Sequence, residues 1–246
     1  MTTRTNGAMR QACNAGAGLR YTNVAIALHW AMAALIVYNL TSGLLGAVLP
    51  RGFFALHISS GITILALTIV RILWRLTHKP PPMLPMAPWE RGLAHAVHVL
   101  LYAAMLLMPL SGWAMVSAHP PAGSPGAVWA SENPPLRHGE APAVPAARAV
   151  KTTKASAPAP KRPGPIMIWN VIPLPMIGPV SAVGQTPGGV PEQRELHERI
   201  ETVHLIGGWI MLALLVLHIA GALKHQLVDR RRELARMGLG TPEPAV

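Results

Sequence analysis

The sequence predicts an all-α fold, an integral-membrane four-helix bundle, and three observations carry that expectation. Charged residues make up only 13% of the 246-residue chain and mean hydropathy is +0.34. Charge-free apolar runs lie at residues 24–50, 52–70, 92–120 and 202–223, each about long enough to cross ~30 Å of hydrocarbon as a helix. Histidines recur inside these runs, where an ionisable side chain is costly enough that function is its default meaning.

The elements follow in chain order. Residues 1–23 form a tail with Arg4, Arg10 and Arg20. Span one is too long for a signal-peptide core and carries His29, so it is expected to stay in the mature protein. Spans one to three occupy residues 24–118, and Arg71, Arg75, Lys79 and Arg91 fall between the second and third. Residues 119–165 are rich in Pro and Ala, with Arg137, Arg148, Lys151, Lys154, Lys161 and Arg162. They hold too few large apolar side chains to bury a core and are expected to be a disordered external insert, a tether or lure. Residues 166–201 regain Ile, Met and Trp169, but Pro173, Pro175 and Pro179 forbid a spanning helix in their first half, so they are expected to lie over the outer surface. Residues 202–236 form span four and its inner end, and residues 237–246 a short tail.

Positive charge sets the orientation. Lys224, Arg230, Arg231, Arg232 and Arg236 follow span four, whereas near their span ends the other connections carry Arg51 in one and Arg194 and Arg199, outnumbered by four glutamates, in the other. The positive-inside rule puts both termini in the cytoplasm of a bacterial inner membrane. The pI of about 11.1 is then an anchoring effect against anionic membrane lipid. Nucleic acid is excluded as a partner, because the charge is split among juxtamembrane segments without a DNA-binding motif.

His204 and His218 lie fourteen residues apart, close to four helical turns or ~21 Å on one face. One metal ion cannot span that distance, so the spacing predicts two sites, one per leaflet. His29 and His218 match in depth near the inner surface, and His57 and His204 match near the outer one, which predicts two bis-histidine haems. The single cysteine, Cys13, excludes covalent haem and iron–sulfur ligation, so both haems are b-type. His95 and His98, at the inner end of span three, are expected to hydrogen-bond a propionate or a quinone carbonyl rather than to act as axial ligands. Arg71 is placed to neutralise propionates at the inner site, with Arg75 one turn beyond it. His197 and His225 fall among charges and read as solvated. Gly61 and Gly208, one turn after the outer histidines, are expected to admit a porphyrin or a neighbouring helix. A weak internal repeat relates spans one and two to spans three and four: His57 and Gly61 recur as His204 and Gly208, and His29 to Ser42-Gly43 parallels His98 to Ser111-Gly112.

Leu28-His29-Trp30, Ala55-Leu56-His57-Ile58-Ser59-Ser60-Gly61, Val70-Arg71-Ile72-Leu73-Trp74-Arg75, Gly92-Leu93-Ala94-His95-Ala96-Val97-His98, and His204 with His218 and Ala222-Leu223-Lys224-His225 together resemble the bacterial cytochrome b561 family. The likeness covers about residues 21–237 and is greatest to stand-alone four-helix members that oxidise superoxide and reduce ubiquinone. It implies two b haems with axial pairs His29/His218 and His57/His204, ubiquinone as substrate, and an external redox partner or superoxide as donor. The insert departs from the short loop expected of the family. Arg51 and the basic insert could steer an anion to the outer side. Two other readings stand beside this one: a cytochrome b anchor subunit relaying electrons between a dehydrogenase or hydrogenase and quinone, and a haem-free scaffold or metal transporter with buried histidines. No catalytic acid, base or nucleophile is assigned.

Overall fold

A computed structural model describes residues 20–46, 48–50, 52–83, 85–133, 166–231 and 233–240. Cys13, Arg51, and the part of the insert from 134 to 165 lie outside these residues. The elements are α1 (Asn23–Leu44), α2 (Gly52–Thr77), α3 (Pro88–Ser117), α4 (Pro125–Glu132), a hairpin of β1 (Met167–Ile168) and β2 (Ile172–Pro173), α5 (Gly178–Ala182), α6 (Val190–Leu223) and α7 (Glu233–Arg236). Helices α1, α2, α3 and α6 are each long and apolar enough to cross a membrane, and the protein is a helical membrane bundle. The chain divides into two units, Met1–Gly112 with Thr202–Val246, and Trp113–Glu201.

The spanning helices overrun the charge-free stretches that announced them. Helix α2 continues to Thr77 and so includes Arg71 and Arg75, α3 begins at Pro88, and α6 begins at Val190, twelve residues before the expected start. Absence of charge marks the lipid-facing part of a helix, not its ends, because backbone hydrogen bonding continues into water wherever no proline or cap stops it. At their C-terminal ends α3 stops at Ser117, short of residue 120, and α1 stops at Leu44, short of residue 50, where the Leu45 N–H bonds the Thr41 carbonyl.

In the first unit the core is a layer at mid-depth. Met32, Ile36, Ile64, Met105 and Met211 are buried together, with Leu35, Leu67, Leu101 and Leu215 packed around them. Ile36 follows His29 by seven residues, Ile64 follows His57 by seven, and Met211 lies midway between His204 and His218, so two-turn spacing assembles one apolar layer between two levels of histidine. In lipid the gain is close packing rather than escape from water, so unbranched methionine is well suited to fill an uneven gap. Thr22 caps α1 by accepting from the Ala25 N–H, and its hydroxyl also accepts from Trp74 Nε1 on α2 at 3.1 Å. Lys224 pairs with Glu90 and with Asp229, which also meets His225 at 2.7 Å. Lys224 and His225 hold the Asp229 carboxyl below its ordinary range, Lys224 most strongly.

The second unit corrects the expectation of disorder from residue 119 onward. Ser124 caps α4 by accepting from the Ala127 N–H, Pro125 starts the helix, and the Gly126 N–H bonds the Gln185 carbonyl. A serine cap followed by proline at the first helical position is a complete start signal, and the low apolar content of the whole insert hid it. Gln193 on α6 is buried and donates to the carbonyls of Val180 and Ser181. Trp113 Nε1 donates to the Pro175 carbonyl at 2.7 Å, and the Ile177 N–H donates to Ser117. Residues 190–201, expected to lie over the surface, are the first three turns of α6.

Candidate functional site

The level that the charge distribution assigns to the outer side is built from all four spanning helices. The rings of His57 on α2 and His204 on α6 have centroids 6.3 Å apart. Two imidazoles on opposite sides of one metal, each bonded at about 2 Å, place their ring centroids roughly 6 Å apart. The observed separation therefore fits a metal held between the rings. Each ring has the same neighbours on the adjacent helix. Ser42 Oγ lies 3.0 Å from His57 Nδ1, and Ser111 Oγ lies 2.9 Å from His204 Nδ1. A Cβ added at Gly43 or at Gly112 would meet the corresponding Cε1 at 3.1 Å.

Those serines fix the tautomer. A hydroxyl has one proton, and Ser42 gives its proton to the Asn39 carbonyl and Ser111 to the Met108 carbonyl. Each oxygen can then only accept from Nδ1–H, which leaves Nε2 of both rings with a lone pair for a metal. Asn39 secures the same level from α1, donating to the His57 carbonyl at 3.1 Å and to Ser60 Oγ. The residues present thus fit a bis-histidine haem on ring separation and tautomer.

The inner level holds three rings. His29 on α1 and His218 on α6 have centroids 6.2 Å apart, the same spacing as the outer pair. His98 on α3 stands 5.1 Å from His218, and its Nδ1 donates to the Ala94 carbonyl at 2.7 Å. Arg71 binds the group together: its Nε donates to Tyr102 Oη at 3.0 Å, one terminal nitrogen to the Ala25 carbonyl at 3.1 Å, and the other reaches His29 Nδ1 at 3.5 Å. A cavity of about 340 Å³ lies beside it, lined by Arg20, Arg71, Arg75, Lys79, Trp74 and Tyr102 among others.

Sequence reasoning placed His29, His57, His98, His204, His218 and Arg71 among these contacts, and Arg75 at the cavity. His95 is exposed and is not among the rings that meet His218. His225 pairs with Asp229 away from both levels. Of the two roles expected of Gly61 and Gly208, close approach of a neighbouring helix is not what the structure shows: a Cβ at Gly208 would meet no protein atom within 4 Å and one at Gly61 only Asn39 Nδ2 at 3.9 Å, whereas Gly43 and Gly112 face the rings and Gly207 faces Met108. Close helix approach follows the faces that helices press together, not position one turn along the ligand's own helix. Reasoning from sequence missed Asn39, Ser42, Ser111 and Tyr102 as site residues, although the repeated Ser-Gly pair was the signal for the two serines.

A family model described as prokaryotic cytochrome b561 matches residues 20–240. A Yersinia pestis protein described as "Probable superoxide oxidase CybB" is 32% identical over 102 residues, 39% of this chain and 58% of that protein. Escherichia coli (strain K12) has "Cytochrome b561 homolog 2", 34% identical over 107 residues, 40% of this chain and 56% of that protein. A second protein of that strain, "Cytochrome b561 homolog 1", is 25% identical over 105 residues, 40% of this chain and 60% of that protein. The chain thus spans a little over half the length of the curated relatives it matches. The family match over nearly the whole chain, together with paired histidines in apolar helices, establishes that the chain belongs to the prokaryotic cytochrome b561 family, membrane helical bundles whose cofactor is b-type haem.

Proposed function

We propose that the protein carries single electrons across a bacterial inner membrane through two b haems, held by His57 with His204 on the outer side and by His29 with His218 on the inner side. One observation carries the reading: two histidine pairs whose rings stand 6.2 and 6.3 Å apart, far enough to admit a metal between them, fourteen residues apart along α6, with a buried apolar layer between the levels. When bound, each haem supplies a one-electron iron couple. The protein's residues hold that group, fix ligand tautomers through Ser42 and Ser111, and exclude water from the layer between the levels. Both termini face the cytoplasm in this reading, with Arg71, Arg75 and Lys224 at the inner end.

The donor is superoxide and the acceptor ubiquinone. Two superoxide anions give up one electron each and leave as dioxygen; ubiquinone takes both electrons with two protons and becomes ubiquinol. The relative named as a superoxide oxidase supports the donor. For the acceptor, the inner level offers His98, whose Nδ1–H is held by the Ala94 carbonyl and whose Nε2 is left to accept from a quinol hydroxyl or, once protonated, to give up a proton, and the cations Arg71 and Arg75, which line a cavity.

Stopped-flow mixing of the haem-loaded protein with a superoxide-generating system should reduce the b-type spectrum, and added ubiquinone analogue should reoxidise it. No reduction by superoxide, with a large redox subunit co-purifying from native membranes, would overturn this reading in favour of the anchor-subunit one.

A further inference from the structure

His119 and His197 lie outside both haem levels, in the Trp113–Glu201 unit, and neither has a role in the proposed electron path. Their ring centroids are 5.1 Å apart with planes at 79°. His119 Nδ1 lies 3.1 Å from the Val116 carbonyl and His197 Nδ1 lies 3.1 Å from the Met115 carbonyl. A carbonyl can only accept, so both Nδ1 atoms carry the proton and both Nε2 atoms carry a lone pair. Backbone-anchored Nδ1–H with free Nε2 is how proteins orient histidines toward a metal.

The spacing, together with the two anchored Nδ1 atoms, fits one small ion shared by both rings. Trans ligands on one ion put ring centroids roughly 6 Å apart, as at the haem levels, whereas two imidazoles bonded at about 2 Å to one tetrahedral ion put them roughly 5 Å apart. The carbonyls that anchor the rings belong to the last turn of α3, which ends at Ser117. These are the groups a helix leaves without intrahelical partners, at its partially negative end, where a cation is favoured. His119 is exposed and His197 half-buried, so an ion can reach the pair from solvent.

We propose that His119 and His197 form a binding site for a divalent transition metal ion that favours imidazole, such as Zn²⁺ or Cu²⁺, separate from the haems. No group of three His, Cys, Asp or Glu side chains among the described residues could hold one ion. Two imidazoles therefore supply the described protein ligands and water completes the shell.

The test uses the full-length, haem-loaded protein in detergent micelles at neutral pH. Zn²⁺ is titrated in competition with a chromophoric chelator, and Cu²⁺ is added separately for EPR. Expected are one ion bound per chain, nitrogen hyperfine coupling from two imidazoles, and a loss of affinity of about tenfold or more in both His119→Ala and His197→Ala. The b-haem spectrum should be native in both variants, and His225→Ala should bind as the parent does. The variant at His119, beyond the end of α3, keeps the test decisive if the one at His197 does not fold. Absence of stoichiometric binding tighter than about 100 µM, or unchanged affinity in the double His119→Ala/His197→Ala variant, overturns the proposal.

Discussion

The two histidine levels of the first unit share one ring separation, 6.3 Å outside and 6.2 Å inside, yet they are built from opposite materials. The outer level is neutral and paired: His57 and His204 each meet one serine and one glycine from a neighbouring helix. The inner level is charged and more crowded: the His29–His218 pair is joined by a third ring, His98, and by Arg71, beside a cavity lined with cations. A site that only holds and tunes a one-electron centre needs fixed ligands and a snug cradle. A site that passes electrons to a proton-accepting substrate needs hydrogen-bonding groups, charge and room, which is the division of work the proposed function assigns to the two levels.

The sharpest way to break the comparison is to remove ligands. In the two-site reading, His57→Ala or His204→Ala halves the haem bound per protein and leaves the inner spectrum native, while His29→Ala or His218→Ala does the converse; pyridine haemochrome assay measures both. Retention of both haems in His29→Ala would hand the inner ligand role to His98. With the pairing intact, His98→Gln should keep both haems and slow reoxidation by quinone, and Arg71→Ala, which removes contacts to Tyr102, Ala25 and His29, should weaken inner-haem retention or that same step.

Glycine substitutions test the cradle with a smaller effect. Gly43→Val or Gly112→Val places branched carbon where even a Cβ would stand 3.1 Å from a ligand ring, so outer-haem occupancy should fall, whereas Gly188→Val, in the Trp113–Glu201 unit, should not change it. Equal loss in all three would mean that general destabilisation, not the ring contact, lowers occupancy.

Smaller again is the serine effect. Ser42→Ala or Ser111→Ala leaves an imidazole N–H without its acceptor, makes the ligand less electron-rich, and should raise the midpoint potential of the outer haem alone. If half or more of a hydrogen bond worth ~1 kcal/mol is felt differentially by the two oxidation states, the shift is on the order of 20–40 mV. Redox titration with optical readout resolves it, and an equal shift at the inner haem would defeat the assignment.

The least effect belongs to the inner rim. Asp229 is held below its ordinary pKa by Lys224 and His225, so its stabilising contribution is present above its unfolded-state value, near 3.8, and fades as pH falls through the lower folded value. Asp229→Asn should cost little at neutral pH, since the pair is partly exposed. Thermal unfolding of variant and parent should converge further as pH drops below about 4; divergence there would contradict the pairing.

The sequence by itself determined the membrane class, the four spans and the histidines the structure gathers at each level. These follow from one-dimensional physics: a run of uncharged residues long enough for hydrocarbon, and a 3.6-residue turn that returns residues fourteen apart to one face. The Ser-Gly repeat was legible as a pattern but not as chemistry. Only the tertiary structure decided that Ser42 serves His57 and that Ser111 serves His204, that Gly43 and Gly112 rather than Gly61 and Gly208 face the rings, and that His98 joins the inner pair while His95 does not. Helix ends were also hidden, because α6 runs twelve residues beyond the apolar stretch that revealed it and α4 sits inside a segment whose composition spoke for disorder. The physical reason is common to all of these. Depth along a helix is written in sequence spacing, but rotation about the helix axis is settled only when four helices choose which faces to press together.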